Sequence, residues 1–376
     1  MRVAILESII MPAGHEVEFD RILVDELKKQ GHAPCFFVPK KFTFKIDYKT
    51  DIEYLTGGEV VTYAGAGKIK KMWLSVLREK RRVEWFNSAY EKACHGLCDA
   101  IIIPTATYRY LRTVRNSKLK NSPVPVIFIF HGINPKEKAN FVKQAKACEE
   151  YKNIHLKVIT LRNDFKQNNL GNLSLIEPPV FKPMDLKVNE NIVLHNPVKI
   201  GFFGQFRKEK NLGFFLKAFE NAKFVKTVKL IVQGATATPE DSDAFEKYIK
   251  DYSGNNNIEF WHKNLIGRDW QEALLSVDAI IMPYAAERYR YHWSAMLFTA
   301  IGFYKPVLQS PEMNPEVLQK YNVGQALSMQ TEEAFSKQLE NFVNNLDDNI
   351  AIYEKNLRRA NVEYSHENLI KNILTI

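Results

Sequence analysis

The chain has 376 residues, of which 45% are hydrophobic and 25% charged. This balance excludes a disordered, collagen-like or low-complexity protein, and the length fits two domains of ordinary size. The net charge is +9, and the excess lies before residue 190, where 31 Lys and Arg face 21 Asp and Glu. The remaining residues hold 21 basic and 22 acidic side chains. The first half therefore favours an anionic partner such as phosphate, nucleic acid or an acidic membrane surface.

The sequence predicts neither a secretory signal nor a transmembrane helix. No run reaches the roughly 18 uncharged apolar residues that a membrane span needs. The apolar start, residues 3–11, is interrupted by Glu7 and has no basic region of the kind that opens a signal peptide. Four cysteines are too few for a disulfide framework, which favours a reducing compartment. We therefore expect the protein in the cytosol.

The first half of the chain alternates strand and helix patterns. An apolar run at residues 3–10 is followed by helical spacing of apolar side chains in residues 19–30, with Gly31 placed to end the helix. Residues 33–39 then have the pattern of a buried strand. This order predicts a doubly wound parallel sheet. Its later strands are predicted at residues 100–104, 124–130 and 154–160, and the last of these is expected to be the final strand.

The same alternation restarts in the middle of the chain. Residues 198–204 form a strand pattern that runs into a loop, and residues 212–224 have helical spacing. Further short strands are predicted at residues 228–234, 258–261, 279–283 and 306–310. Two α/β sheets of similar size fit this pattern better than one very large sheet, and the proline-rich residues 176–183 with the polar stretch up to Pro197 form a natural linker between them. The cleft between two such domains is the expected ligand site.

Glycine and basic residues occupy the turn that follows the strand at residues 198–204. Gly204 lets the backbone approach a ligand closely, and the next helix presents free N–H groups and a positive dipole. Arg207 and Lys210 add positive charge at the same corner. This combination is typical of a diphosphate site. A solvated charged turn is the alternative interpretation.

A second segment of interest runs from residue 282 to residue 307. An apolar strand ends at Pro283, a loop rich in Tyr and Arg follows, and Ser294 stands at the N-cap position before an apolar run. This places a second helix N-terminus at the carboxyl end of a parallel strand. Taken alone, the segment is better explained as a capped core helix, with packing roles for Tyr284, Tyr289, Tyr291 and Trp293.

Together the two segments resemble the nucleotide-binding domain of GT-B glycosyltransferases of the family-four, glycogen-synthase-like kind. In those enzymes a glycine, an arginine and a lysine after the first strand hold the donor diphosphate; Gly204, Arg207 and Lys210 occupy these places. The later part of the pattern is matched in order by Pro283, Tyr284, Ser294, Ala295, Ala300, Lys305, Pro306 and Val307. Residues 177–181 are similar to the segment that ends the N-terminal domain of these enzymes.

The resemblance implies two Rossmann-like, doubly wound α/β domains facing a cleft, which is the GT-B architecture. Residues 1–183 would form the acceptor-binding domain and residues 184–354 the nucleotide-sugar-binding domain, with the last helix, residues 355–376, packing back on the first. The nucleobase is expected near residues 260–263. The implied donor-binding residues are Gly204, Gln205, Lys263, Glu287, Tyr291, Ser294, Ala295 and Thr299.

The sequence departs from the family pattern at several donor positions. Two glutamates usually stand seven residues apart, and here those places hold Tyr291 and Thr299, while Glu287 lies out of register with the first. Gln205 replaces a frequent arginine, and Tyr304 replaces the glycine that usually precedes Lys-Pro-Val. These changes affect the expected ribose and sugar contacts and leave catalytic activity open.

The resemblance implies that two places in the first half reach the acceptor. Gly14 permits close approach of the backbone, and His15 beside it is a candidate catalytic residue because histidine exchanges protons near neutral pH. Glu16 or Glu18 is an alternative acid or base. His131 follows a buried strand, where the carboxyl ends of parallel strands point at the crevice. A structural or surface role is the alternative for both histidines.

Residues 68–86 have the pattern of a basic amphipathic helix. Apolar side chains recur at helical spacing, and seven of the first 15 residues are Lys or Arg. A basic helix with a tryptophan near its apolar face suits an anionic membrane interface. An ordinary amphipathic helix with a solvated face is the simpler interpretation. The resemblance supports the membrane interpretation, because many enzymes of this family glycosylate lipid-linked acceptors from the cytosolic side.

The sequence contains no arrangement of residues that we expect to bind a metal ion. Cys94 and Cys98 flank His95, but no second pair accompanies them, so a zinc site is not expected and both cysteines are interpreted as buried helix residues. We expect no Asp-x-Asp pair of the sort that holds a divalent cation in nucleotide-sugar enzymes of the other main architecture. We expect Arg207 and Lys210 to take the place of a metal, with no cofactor beyond the nucleotide sugar as donor substrate.

The resemblance implies a retaining, metal-independent glycosyltransferase. It would move a sugar from a nucleotide diphosphate sugar to a glycan or lipid-linked acceptor, in cell-surface polysaccharide or lipopolysaccharide synthesis, on the inner face of the cell membrane. A sugar-nucleotide epimerase or a non-catalytic relative on the same architecture is the alternative. A nucleic-acid-binding protein is a third class, disfavoured because the donor-like corner lies in the half that is not basic.

Overall fold

The computed structural model describes residues 1–9, 15–62, 67–163, 165, 169–183, 186–284, 289 and 291–376. The chain divides into two compact units. The first contains Met1–Pro178 together with His366–Ile376, and the second contains Pro179–Ser365. The sequence placed the boundary at residue 183 and the return of the chain near residue 355. In the structure the chain leaves the first unit at Pro178 and returns to it at His366.

The first unit is built on a seven-stranded sheet in which every pairing is parallel. The strand order is β3-β2-β1-β4-β5-β6-β7, so the chain winds one way from β1 and then the other way from β4. The central strands are buried along their length, as expected of a sheet covered on both faces. The strands are β1 (Arg2–Leu6), β2 (Ala33–Val38), β3 (Asp51–Tyr54), β4 (Ala100–Ile103), β5 (Val126–Phe130), β6 (Ile154–Ile159) and β7 (Leu173–Ile176).

The second unit repeats this plan with six parallel strands in the order β10-β9-β8-β11-β12-β13. Strand β8 pairs with β9 on one side and β11 on the other, so it lies where the winding reverses. The strands are β8 (Val198–Phe202), β9 (Val228–Gln233), β10 (Ile258–Trp261), β11 (Ala279–Met282), β12 (Val307–Gln309) and β13 (Gly324–Ala326).

Helices connect most of the successive strands within each unit, the exceptions in the described residues being β2 to β3 and β6 to β7, and local sequence sets several helix starts. Pro135 and Pro239 stand in the first turns of their helices, where a missing N–H costs nothing, and Asn134 and Thr238 cap them. The helices are α1 (His15–Lys29), α2 (Lys68–Cys94), α3 (Tyr108–Arg115), α4 (Pro135–Ala147), α5 (Leu212–Asn221), α6 (Pro239–Asp251), α7 (Gly267–Leu275), α8 (Ala295–Gly302), α9 (Pro315–Lys320), α10 (Glu332–Asn344), α11 (Leu346–Glu363) and α12 (His366–Leu374). In the described part of the chain, no helix is long and apolar enough to cross a bilayer.

Helix α12 completes the first unit, packing against α1 and β7. The buried ammonium group of Lys157 donates to the carbonyl oxygen of Thr375 at 2.6 Å and to Ser174 Oγ at 3.3 Å. Gln30 on α1 donates to the carbonyl oxygen of Glu367 at 3.4 Å. The carboxyl end of the chain is thereby fixed to the sheet that begins at the amino terminus.

Two expectations about the first unit are wrong. Residues 154–160 are not the final strand, because β7 follows and pairs with β6. The residues of β7 are buried irregularly, so the sequence shows no clear alternation of apolar and polar residues that would predict this strand. Cys94 and Cys98 are not both buried helix residues: Cys94 is exposed at the end of α2, and Cys98 is buried in the turn beyond it.

Candidate functional site

The candidate site lies at the carboxyl edge of the second sheet, where β8 and β11 end side by side. The connection after β8 leads towards β9 and the connection after β11 towards β12, so the chain departs in opposite directions. In open parallel sheets such a reversal opens a crevice outside the strand ends, and ligands bind there. The loop after β8 carries Gly204 and Arg207, and the one after β11 leads to α8.

Gly204 has a backbone conformation that its position requires. Its φ of +103° is rarely adopted by L residues, and a Cβ added there would lie 3.1 Å from Lys210 Nζ. Its N–H donates to Gln233 Oε1 at 2.8 Å, and Gln233 Nε2 donates to the carbonyl oxygen of Lys263 at 2.6 Å. The glycine loop is therefore held by the end of β9 and by the segment after β10.

Lys210 is a lysine buried at this crevice, 8% exposed. Its Nζ donates to the carbonyl oxygen of Phe203 at 3.3 Å and lies 4.8 Å from the ring centre of Tyr284. The ring of Phe202 lies 5.9 Å away. Carbonyl oxygens and aromatic rings both attract an ammonium group. The positive charge is thus fixed beside Gly204.

Arg207 takes a different position on the same loop. Its Nη2 donates to Gln205 Oε1 at 2.9 Å, and its Nη1 lies 3.9 Å from Glu209 Oε1. The side chain is 40% exposed. Arg207 therefore lies at the rim of the crevice, with Gln205 orienting its guanidinium group, and it is more accessible to solvent than Lys210.

Tyr284 joins the two sides of the crevice. Its hydroxyl donates to the carbonyl oxygen of Phe203 at 3.4 Å, the same oxygen that accepts from Lys210. Burial raises the pKa of this hydroxyl well above its ordinary value, so it stays a neutral donor. Ser310 Oγ donates to the carbonyl oxygen of Tyr284. The sequence pattern matched Tyr284, but only tertiary contacts reveal that it supports the lysine.

Helix α8 begins at the same edge, as the sequence predicted. Ser294 is its N-cap, and its Oγ accepts from the N–H of Leu297 at 3.2 Å, which confirms the capping role. The N–H of Ser294 donates to Asn314 Oδ1 at 2.8 Å. Residues after β12 therefore hold both the start of α8 and the carbonyl of Tyr284. The helix N-terminus contributes its partial positive charge to this edge.

The other predicted donor residues are placed less centrally. Thr299 lies inside α8, where its hydroxyl donates to the carbonyl oxygen of Ala295 at 2.8 Å, and Tyr291 is half-buried before the helix. Lys263 Nζ lies 5.4 Å from the ring centre of Trp261, at the edge strand β10. Glu287 lies outside the described residues.

Lys305 is not brought to the crevice, although it matches the family pattern. It precedes β12, and its Nζ donates to the carbonyl oxygen of Leu275 at 3.5 Å, at the amino edge of the sheet. Burial lowers its pKa to about 8, partly offset by the nearby Asp278 carboxylate. Its position there indicates a structural role.

The first unit has its own polar cluster at the carboxyl edge of its sheet. Glu7 follows β1 and is 4% exposed, and its Oε1 accepts from the N–H groups of Ser8 and Ile9 at 2.6 and 2.5 Å. Burial raises its pKa to about 7 despite those bonds. Asp20 on α1 is also buried, and its pKa is raised by burial and by the charges of Glu7 and Glu16. No pattern in the sequence marked either carboxyl group.

The predicted acceptor residues are only partly described. Gly14 and the side chain of His15 lie outside the described part, although His15 begins α1. Glu18 accepts from Arg21 Nη2 at 2.8 Å. His131 donates from Nε2 to the carbonyl oxygen of Pro104 at 2.9 Å, so the proton is on Nε2, and its ring packs edge-on against Phe19 at 4.6 Å.

Metal ligands are not gathered anywhere in the described ranges. No group of three or more His, Cys, Asp or Glu side chains there is arranged to hold a metal ion. Among the residues that the structure describes, Lys210, Arg207 and the start of α8 bring positive charge to the crevice.

Solved structures similar to the chain share its fold over the whole length. They include HepE of Anabaena in complex with UDP and glucose, with 13% identity, a TM-score of 0.66, and coverage of 100% of this chain and 99% of that one. WaaG, a glycosyltransferase involved in lipopolysaccharide biosynthesis, has 14% identity, a TM-score of 0.62, and coverage of 99% of each chain. An α,α-trehalose-phosphate synthase from Burkholderia xenovorans has 9% identity, a TM-score of 0.66, and coverage of 99% of this chain and 100% of that one.

These similarities confirm the predicted fold class: the chain has two Rossmann-like α/β domains of the GT-B kind. No protein-family model matches the chain, and no curated protein matches it in sequence.

Proposed function

We propose that the protein is a glycosyltransferase that moves a sugar from a nucleotide diphosphate sugar to a glycan or lipid-linked acceptor. The observation that carries this proposal is the buried ammonium group of Lys210, held beside Gly204 at the reversal point of the second sheet. A phosphate approaching the glycine backbone would meet this charge directly. The similar structures support it further, since HepE was solved with UDP and glucose.

The chemistry follows from where charge develops. When the anomeric C–O bond breaks, the sugar ring becomes positive and the departing diphosphate takes up negative charge. Lys210, Arg207 and the N-terminus of α8 are already positioned, so they stabilise that charge without reorganisation. A nucleotide diphosphate leaves readily, so we expect no metal or other cofactor. Retention of the anomeric configuration is expected from the family resemblance.

The acceptor side is assigned to the first unit. We expect the acceptor hydroxyl to approach the region of Gly14, His15, Glu18 and His131, with His15 the first candidate for a proton-exchanging residue. WaaG acts in lipopolysaccharide biosynthesis, which supports a role in cell-surface glycan synthesis. We further expect the protein in the cytoplasm, with an anionic membrane surface as a partner of its basic half.

The test uses radiolabelled UDP-, GDP- and ADP-sugars with a membrane extract as acceptor source. Label that enters lipid or glycan with wild type, and not with Arg207→Ala, supports the proposal. Conversion of the donor to an epimeric sugar nucleotide without acceptor would establish the epimerase. Nucleotide binding without turnover would indicate a non-catalytic relative, and duplex DNA or RNA binding with a steep salt dependence would overturn the proposal.

A further inference from the structure

An exposed row of large apolar side chains lies along the first half of α2. It consists of Ile69, Met72, Trp73, Val76 and Leu77, and we call it the apolar stripe. Their exposed fractions are 77%, 67%, 72%, 64% and 38%. Single exposed apolar residues are ordinary, but a contiguous patch of this kind marks an interaction site on a soluble domain.

The stripe points away from the core of the first unit. In the second half of α2, the buried side chains are Arg82, Trp85, Phe86, Ser88, Ala89 and Ala93, and all of these except Ser88 form one row. Successive residues of an α-helix are rotated by about 100°, which places the stripe about half a turn around the axis from this buried row. The stripe therefore cannot be explained as the outer margin of the face that packs on the sheet.

The same outer face changes character along the helix. Continuing the row of the stripe, the second half of α2 places Lys80, Glu84, Asn87 and Glu91 on this side. The outer face is thus polar in the half of the helix that buries side chains in the core, and apolar in the first half, where none of the described side chains is buried. Water alone would favour polar residues along the whole face, so the apolar section indicates a partner.

Charge determines which partner fits. Residues 68–80 contain five Lys and Arg and one acid, Glu79. Glu79 accepts from Arg82 at 2.9 Å and from Thr113 at 3.0 Å, so its charge is directed inwards. Lys70, Lys71 and Lys80 are exposed. A second copy of the chain would bring like charges together, whereas an anionic bilayer complements both the lysines and the apolar side chains.

We propose that the apolar stripe is a membrane-docking surface that inserts into the headgroup and acyl boundary of an anionic bilayer. The apolar side chains enter the boundary, Trp73 occupies the interfacial level that tryptophan prefers, and the exposed lysines contact lipid phosphates. This inference rests on the membrane part of the proposed function. It names the surface involved and the side chains that carry it, and it does not depend on the donor reaction.

The experiment is flotation of the full-length protein with vesicles, without nucleotide. Vesicles of phosphatidylcholine containing 30% phosphatidylglycerol are compared with vesicles of phosphatidylcholine alone. We expect wild type to float with the anionic vesicles and to dissociate progressively as salt is raised. The double variant Met72→Gln, Val76→Gln should partition about a hundredfold more weakly, about tenfold for each apolar side chain withdrawn. Lys70→Gln, Lys71→Gln should weaken binding about fivefold per lysine.

The matched control places the same chemical change elsewhere. Ile352→Gln, Val225→Gln alters two exposed apolar residues of the second unit, and it should bind vesicles as wild type does. Circular dichroism and thermal midpoints establish that every variant is folded. Donor binding, measured by calorimetry with soluble protein, should be unchanged in the stripe variant.

Three results would overturn the docking surface. The first is wild-type protein that remains in the soluble fraction when anionic vesicles float. The second is a stripe variant that floats with the vesicles as well as the control variant does. The third is a concentration-dependent dimer in sedimentation that the stripe variant abolishes, because that would assign the surface to a second copy. Absence of vesicle binding with intact donor binding would contradict the docking surface and leave the glycosyltransferase proposal in place. Vesicle binding without donor binding would contradict the glycosyltransferase proposal and leave the docking surface in place.

Discussion

The ammonium nitrogen of Lys210 lies 4.8 Å from the ring centre of Tyr284, and both side chains donate to the carbonyl oxygen of Phe203. These three residues come from the loop after β8, the turn before α5 and the end of β11. Their meeting point holds one positive charge, largely removed from water, at the reversal of the second sheet. Four predictions follow for the site and its surroundings.

Replacing Lys210 with Met should abolish most of the donor chemistry. The change retains the length of the side chain and removes the charge expected to stabilise the departing diphosphate. Loss of one such preorganised group costs about 100- to 1000-fold in kcat. Steady-state kinetics with the donor found active would measure it. Lys208→Met is the matched control, because Lys208 is exposed on the same turn. Equal activity of the two variants would contradict the assignment.

Gly204→Ala should impair donor binding more than it impairs folding. A Cβ at this position would lie 3.1 Å from Lys210 Nζ, and the φ of +103° is strained for alanine. The lysine would have to move from its position to accommodate the methyl group. Calorimetric titration with the nucleotide diphosphate should show affinity reduced at least about tenfold. Gly254→Ala, where nothing lies within 4 Å, is the control and should bind normally.

Ser294→Ala removes the N-cap bond of α8 and should cost about 1 kcal/mol of unfolding free energy. Because α8 begins at the candidate site, donor affinity should fall as well. Thr331→Ala deletes an equivalent cap at α10, which accepts from Ala334 at 3.1 Å. Urea unfolding should give similar losses of unfolding free energy for the two variants, whereas calorimetry should show weaker donor binding for Ser294→Ala alone. A donor affinity that falls equally in both would show that α8 has no special role.

Glu7 should make stability depend on pH. Its pKa is about 7 in the folded protein because burial disfavours the charged form, and about 4.5 when it is unfolded. The folded state therefore binds more protons at Glu7 in this interval, so the stability contributed by this group is greatest below pH 4.5 and is lost as pH rises through 7. The full effect is on the order of 3 kcal/mol. Asp20 acts in the same direction, since its pKa is also raised.

Glu7→Gln tests this dependence in urea titrations at pH 5, 6, 7 and 8. The variant should lose less stability than wild type as pH rises, since the amide has no charge to bury. Glu53→Gln changes a carboxyl group on the exposed strand β3 and should follow wild type. A Glu7→Gln curve parallel to that of wild type would contradict the raised pKa.

The parts of the fold that sequence predicts best are the central strands and the turns after them. Strand β8 was expected at residues 198–204 and occupies Val198–Phe202. A short, mostly apolar run that ends at a glycine and a charged turn is typical of a buried strand. Edge strand β3 was missed, since all four of its residues are exposed and lack the apolar signal of a core strand. Pairing with β2, a tertiary interaction, defines it.

Some residues of the candidate site could likewise be predicted from local sequence, and others could not. Gly204 and Lys210 were identified because their spacing after a strand carries the chemistry, and they are adjacent in the structure. The support of Lys210 by Tyr284 depends on residues 74 positions apart, which no local pattern links. Glu7 was read only as an interruption of an apolar run, and its significance comes from α1 burying it beside Asp20.

The attachment of α12 has a consequence for biosynthesis. Because Thr375 and Glu367 supply partners for Lys157 and Gln30, the first unit lacks part of its structure until residues 366–376 have left the ribosome. The whole of the second unit precedes those residues in the chain. The second unit can therefore fold before the first unit is complete, although most of the first unit is translated earlier.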